Sequence, residues 1–213
     1  MNDAGVDIIN RETVYRGFFR VDKFRLRHRL YAGGWTTPME REIFERGRAV
    51  GVLLYDPAAD AVVLVEQFRL APHLVGLPAW QAEIVAGIVS PGDDADEAVA
   101  RREAREEAGI IDLGALLPIH RFMPSSGGSS ELVSLYCGHV DSARAGGHHG
   151  LPEEHEDTKV LVLRYRAAMQ RMRSGAITNA ATIIALYWLA ANRVRLKREW
   201  REHAATVKVE PRE

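Results

Sequence analysis

The sequence predicts a mixed α/β (α+β) protein, and three observations carry that prediction. Apolar strand-like runs and helix-period segments follow one another in mixed order with no internal repeat, the pattern of a sheet packed against helices. With 46% hydrophobic and 27% charged residues, the chain can bury a proper core, so disorder is a poor description. Its 213 residues exceed the usual domain and suit one large domain, or one domain with an appendage.

The elements follow in order. Lys23, Arg25, Arg27 and Arg29 alternate with Phe24, Leu26 and Leu30, a period of two that predicts a half-buried strand. Ala32-Gly33-Gly34 supplies a turn, and Thr36 to Phe44 reads as the return strand. Residues 1–45 therefore read as a small antiparallel β unit, and 46–213 as the main domain. The basic ribbon fits a solvated strand face as well as a phosphate contact. Ala49 to Tyr55 and Ala61 to Val65 are apolar runs joined by Asp56-Pro57-Ala58-Ala59-Asp60, which predicts a buried hairpin. Pro72 to Trp80 is loop-like, and Ala82 to Ala86 is a short strand. A helix is expected over Ala95 to Ala108, strands over Leu116 to Phe122 and Leu132 to Val140, and a long polar loop over Ala143 to Glu156. Thr158 to Leu163 is a strand and Arg166 to Met172 a short helix. A long amphipathic helix runs from Ala180 to about His203, capped by Asn179, with Ile184, Tyr187, Trp188, Ala191 and Val194 as its apolar stripe.

Composition excludes several classes. A net charge of −1 argues against coating nucleic acid or anionic lipid by bulk attraction. The longest apolar run, Ala180 to Leu189, is too short to span a bilayer, and Asp3 and Asp7 stand where a signal segment would begin. Cys137 is the only cysteine, so no internal disulfide forms, which suits a reducing compartment. The expectation is a soluble cytoplasmic protein with neither a nucleic-acid nor a membrane partner.

The chemistry concentrates between Gly87 and Ile110. Pro91-Gly92 ends a loop, Asp94-x-x-Glu97 is close to a capping box, and Gly109 is a C-terminal stop, so the helix is bracketed locally. Glu103, Glu106 and Glu107 stand at i, i+3 and i+4 and project from one side, with Arg101 and Arg105 roughly opposite. Ala100, Ala104 and Ala108 form a small-residue strip that lets the helix lie close to a sheet. Three crowded carboxylates repel one another unless something positive holds them, and a hard divalent cation such as Mg²⁺ is the economical answer. The same pattern also describes a solvated face with i,i+4 pairs such as Arg102 with Glu106. The glycine-bounded loop and a second acidic stretch, Glu153-Glu-His-Glu-Asp157, favour the cation.

This segment resembles the Nudix box, G-x5-E-x7-R-E-U-x-E-E-x-G-U, with U a bulky aliphatic. Arg102 to Ile110 match its second half, Ala104 being smaller than usual. In the first half Gly87 lies one residue too far upstream and Asp94 replaces the glutamate, which reads as a one-residue insertion before the helix. Tyr15-Arg-Gly-Phe-Phe19, Phe24 to Leu30, Arg41 to Gly47, Glu66-Gln-Phe-Arg69, Gly127 to Glu131, Gly150 to Asp157 and Asn179 to Trp188 extend the similarity. Together they resemble the bacterial ADP-ribose pyrophosphatases of the Nudix superfamily. The resemblance implies an α/β/α sandwich around a mixed sheet and a homodimer that exchanges its N-terminal β segment. The implied reaction is hydrolysis of ADP-ribose to AMP and ribose 5-phosphate with Mg²⁺, for which Mn²⁺ could substitute.

By position, the resemblance makes Glu103 and Glu107 the main metal ligands, with the Ala86 carbonyl, Glu106 and Glu156. Glu154 matches the proposed general base, with Glu156 the neighbouring candidate. Arg41 and Arg69 match residues holding phosphates or the terminal ribose, Phe18 would stack on adenine, and Ser125 and Glu131 would also reach substrate. Without the resemblance, Phe18 reads equally as core, Arg41 and Arg69 as ion-paired strand residues, and Glu154 and Glu156 as a solvated loop. His148-His149 has no third ligand at suitable spacing, and Cys137 reads as a buried strand residue. The rival functions are another nucleotide-sugar pyrophosphatase, such as one acting on GDP-mannose, a non-catalytic ADP-ribose sensor, and a basic-ribbon nucleic-acid binder.

Overall fold

The computed structural model describes residues 5–90, 92–93, 95–151, 153 and 155–207. It divides into two compact units, Met1–Arg48 with Met123–Leu132, and Ala49–Phe122 with Val133–Glu213.

The first unit is an antiparallel sheet of β1 (Val6–Arg16), β2 (Arg20–His28) and β3 (Met39–Glu45), in that order. The alternation lies on the central strand from Lys23 to His28, as the period of two predicts, and Arg29 and Leu30 fall beyond its end. Its cations are not a free ribbon. Lys23 pairs with Glu40 at 2.7 Å, Arg27 pairs with Asp7 at 2.7 Å, and Arg27 and Arg29 both stack on Trp35. Asp22 is fully buried in mid-strand, which is costly for a carboxylate unless donors surround it. Arg11 Nε at 2.9 Å and Thr13 Oγ1 at 2.8 Å supply them, and Arg20 adds its charge, with Nε 3.1 Å from Asp22 Oδ2.

The second unit is a three-layer sandwich. Its mixed sheet has the order β10 (His148–His149), β11 (Thr158–Arg164), β5 (Ala61–Phe68), β4 (Arg48–Asp56), β9 (Leu132–His139), β8 (Leu116–Phe122), with β6 (Trp80–Glu83) on β5 and β7 (Val85–Val89) on β4. Parity along β4 and β5 sorts the core into two halves. Leu53, Tyr55, Val62 and Leu64 pack under α3 (Tyr165–Arg173) and α4 (Ala180–Val207), while Val50, Val52, Leu54, Val63 and Val65 pack under α2 (Asp96–Ala108). Both faces of these strands are covered, which is why their sequence is a continuous apolar run instead of an alternation. Cys137 lies inside the first of these halves, with no exposed surface, and burial raises the pKa of its thiol.

Five expectations need correction. The strand expected over Ala82 to Ala86 is two strands broken at Ile84, one on β5 and one on β4. A five-residue helix α1 (Leu70–Leu74) occupies part of the expected loop, and His148–His149 forms a short strand inside the polar one. The residue capping α2 is Ala95, with no side-chain cap bond; Asp94 lies outside the described residues. On α4 the buried stripe is Thr182, Ala185, Leu186, Leu189, Leu196 and Trp200, while Tyr187 and Val194 are exposed. Ala180 to Leu189 is apolar nearly all round, so spacing alone fits two stripes about 100° apart. No helix of the described residues is long and apolar enough to cross a membrane.

Candidate active site

Helix α2 carries the expected carboxylates; two contacts fix it against the sheet and a left-handed glycine ends it. At its start Asp96 is buried and accepts from Ser134 Oγ on β9 at 2.6 Å, with Arg121 Nη2 of β8 at 3.5 Å. This replaces the missing side-chain cap and places a carboxylate in the first turn, where the helix dipole favours it. Ala100, Ala104 and Ala108 are all buried, so the helix lies against the strands at short range as the small-residue strip requires. At its end Gly109 adopts φ 66°, and its N–H bonds the Arg105 carbonyl at 3.0 Å.

That seating sends Glu107 inward. It is only 3% exposed; its Oε2 accepts from the Ala86 N–H at 3.0 Å and its Oε1 from Gln67 Nε2 at 3.4 Å. Burial pushes the Glu107 carboxyl up to about 8, against the pull of the Ala86 N–H, and the charges of Glu103 and Glu156 add to the rise while Arg69 opposes it. Glu103 lies directly against Gly87, where any side chain would run into its carboxylate, and Arg102 Nη2 stands 3.0 Å from Glu103 Oε1. A Cβ at Gly87 would therefore displace the Glu103 carboxylate from its place.

The second acidic stretch is tied to the same helix. The Gly150 N–H donates to the Glu106 carbonyl at 3.1 Å, and His149 packs on Gly109. Glu156 is held at the loop's base, its N–H on the Leu151 carbonyl at 3.2 Å and its Oε2 accepting from the Leu151 N–H at 3.3 Å. Gly150, at φ 103°, leaves room for it. Glu154 lies outside the described residues.

Glu103, Glu107, Glu156 and Arg69 are thus brought into one electrostatic neighbourhood of the second unit. Arg69 is paired, as its bland reading required: its Nε donates to Glu83 Oε2 at 3.0 Å. Glu106 contributes its carbonyl to the loop anchor, and its side chain is half-buried. Among the described residues, no three Asp, Glu, His or Cys side chains already form a metal-sized group. The donor set nonetheless fits a hard cation: these are oxygen ligands, and the most buried carboxylate has like charges beside it.

The remaining candidates belong to the first unit. Phe18 is 86% exposed, which removes its core reading, and its ring meets Phe19 edge-on at 4.8 Å. Arg41 is exposed and donates to the Glu40 carbonyl at 2.8 Å. Glu131 accepts from Arg46 Nη2 at 3.2 Å, and the Ser125 carbonyl closes a turn with the Gly128 and Ser129 N–H groups.

Sequence reasoning missed Gln67 and Glu83. Both are polar residues buried on strands, which is the signal that marks them once burial is known.

The family model of the NUDIX domain matches residues 45–173. An ADP-ribose pyrophosphatase of Escherichia coli (strain K12) is 47% identical over 195 residues, covering 92% of each chain. A GDP-mannose pyrophosphatase of Cronobacter sakazakii is 34% identical over 151 residues, covering 70% of this chain and 77% of the relative. A crystal structure of an ADP compounds hydrolase superposes with a TM-score of 0.65 at 18% identity, over 91% of this chain and 95% of that one.

Proposed function

This chain belongs to the Nudix family, and from that premise we propose that it hydrolyses the diphosphate of ADP-ribose to AMP and ribose 5-phosphate. The observation that carries the reading is the 47% identity, over 92% of both chains, to an ADP-ribose pyrophosphatase. The GDP-mannose relative is a second reading, weaker in both identity and extent. A non-catalytic sensor is disfavoured because Glu103, Glu106 and Glu107 are all retained.

Enzymes of this kind use a divalent metal, and we take it to be Mg²⁺, with Mn²⁺ as substitute. Glu103, Glu107, Glu106, Glu156 and the Ala86 carbonyl would hold it. When bound, the metal offsets diphosphate charge and lowers the pKa of water. Glu154 removes the proton of the attacking water as the bridging P–O bond breaks, with Glu156 the alternative base two residues on. Arg41 and Arg69 bind phosphate or ribose oxygens, Phe18 stacks on adenine, and Ser125 and Glu131 complete the substrate contacts. The buried Gln67 and the Ala86 N–H orient Glu107 from behind.

The reading includes a cytoplasmic homodimer that exchanges residues 1–45, beside a hydrolase domain over 46–213. Its support is the apolar load of the first unit, where Val6, Ile8, Ile9, Val14, Tyr15 and Phe18 are exposed.

The test is a product screen with Mg²⁺ against ADP-ribose, GDP-mannose, other nucleotide sugars and NAD. AMP released from ADP-ribose well above all others is the expected result. GMP from GDP-mannose as the leading product transfers the assignment to the second reading, and no hydrolysis of any of them refutes the reaction.

A further inference from the structure

The Arg69 side chain is held before any substrate arrives. Its Nε donates to Glu83 Oε2 at 3.0 Å, and its Nη2 stands 3.0 Å from the same oxygen. Only one edge of the guanidinium is thereby engaged, out of five N–H donors in all. The Arg69 side chain stays 43% exposed, whereas that of Glu83 is only 9% exposed. The other oxygen of Glu83, Oε1, accepts from Asn179 Nδ2 at 3.1 Å. The Asn179 amide has one workable orientation: its Oδ1 accepts from Thr182 N–H and Oγ1–H, both at 2.9 Å, as it caps α4. Its NH₂ is thus left for the carboxylate. Thr182 Oγ1 then accepts from the Ile84 N–H at 3.0 Å, which returns the chain of bonds to the segment carrying Glu83.

We propose that Glu83 and Asn179 are positioning residues, which clamp one edge of Arg69 and present its remaining donors to an anionic oxygen of the nucleoside diphosphate. This rests on the substrate role given to Arg69 above. An unrestrained arginine loses considerable rotamer freedom on binding, and a buried carboxylate clamp places that loss in folding instead. Asn179 therefore does two things with one amide. Its oxygen starts a helix and its nitrogen fixes the acceptor for an arginine.

The double use makes the two roles separable. Asn179→Asp keeps the cap, since aspartate caps about as well as asparagine, but turns a donor into a carboxylate facing Glu83. Glu83→Gln presents one acceptor and one donor where Arg69 and Asn179 both need an acceptor. Each single variant is expected to raise KM about tenfold with kcat within about threefold. The double variant restores donor–acceptor matching, so its KM returns to within about threefold of wild type. In an Arg69→Ala background neither substitution moves KM further. Unchanged KM in a folded Asn179→Asp protein overturns the proposal, as does an effect that persists without Arg69. A second measurement stands apart from turnover. In ¹⁵N-labelled protein the Arg69 Nε–H resonance, assigned by its loss in Arg69→Lys, is expected to exchange slowly and to vanish or broaden in Asn179→Asp. If it is unaltered, the clamp is wrong whatever the substrate. If it responds but ADP-ribose is neither bound nor cleaved, the clamp stands and the functional reading fails.

Discussion

Two acidic residues of the second unit have opposite fates. Asp60, at the turn between β4 and β5, accepts from Arg193 Nε at 2.7 Å and from its Nη2, from Tyr55 Oη at 3.0 Å, and lies 3.3 Å from Lys197 Nζ. Arg193 first, and then Tyr55 and Lys197, outweigh burial and hold its carboxyl well below the usual range. Glu107 is more deeply buried, 3% exposed against 24% for the Asp60 side chain, yet its donors are a neutral amide and a main-chain N–H. Its carboxyl is pushed up. The fold supplies cations to the acid that only has to hold two elements together. The acid we propose as a metal ligand is left short of them. Deficits of this kind, in a cluster of like charges, distinguish a working site from a structural ion pair.

The sharpest way to break this contrast is kinetic. Glu154→Gln removes a proton acceptor without changing size, so kcat should fall by about 10²–10⁴ with its metal dependence nearly unchanged. Glu107→Gln should weaken metal affinity about 10–100-fold, and excess Mg²⁺ or Mn²⁺ should restore part of the rate. Initial rates against metal concentration separate them; rescue of the first and not the second reverses the two roles. Next in size is the pair at the hairpin. Arg193→Leu strands a carboxylate that is about a quarter exposed, and should cost about 2–3 kcal/mol in urea unfolding. Full stability in that variant would mean that Asp60 is no more structural than Glu107.

The smallest effect is the most diagnostic. The folded-state pKa of Asp60 is depressed, so its contribution is present above the ordinary value of 3.8 and is lost as pH falls through the lower folded value. Asp60→Asn should therefore lie furthest below wild type in stability near neutral pH and approach it as the pH drops below about 4. Melting temperatures at a series of pH values give the comparison, and a gap that widens in acid contradicts the pairing.

How far these features could be read beforehand depends on where their determinants lie. Helix α2 was legible because its end and its small-residue strip are local: Gly109 takes the left-handed turn and Ala100, Ala104 and Ala108 face the sheet. The hairpin of β4 and β5 was legible for the same reason, since its turn residues and apolar runs are contiguous. The start of α2 was not, because Asp96 is satisfied by Ser134, 38 residues away. Strand β1 was missed because ten of its eleven residues are exposed, so no buried face imposes an alternation. The stripe of α4 failed because an almost wholly apolar first half offers two equivalent faces. Among the site residues, the helix glutamates and Arg69 carried a motif, whereas Gln67 and Glu83 declare themselves only through partners at long sequence separation.

The burial of Cys137 has a practical consequence. A thiol with no accessible surface and a raised pKa yields almost no thiolate, the form that reacts with maleimides and iodoacetamides. A cysteine introduced at a fully exposed position such as Tyr31 is then the sole labelling point, with no need to delete the native one. Donor- and acceptor-labelled pools, once mixed, would time any exchange of N-terminal segments between subunits by energy transfer. Cys137 itself becomes a silent clock, since its first modification marks the moment at which the core opens.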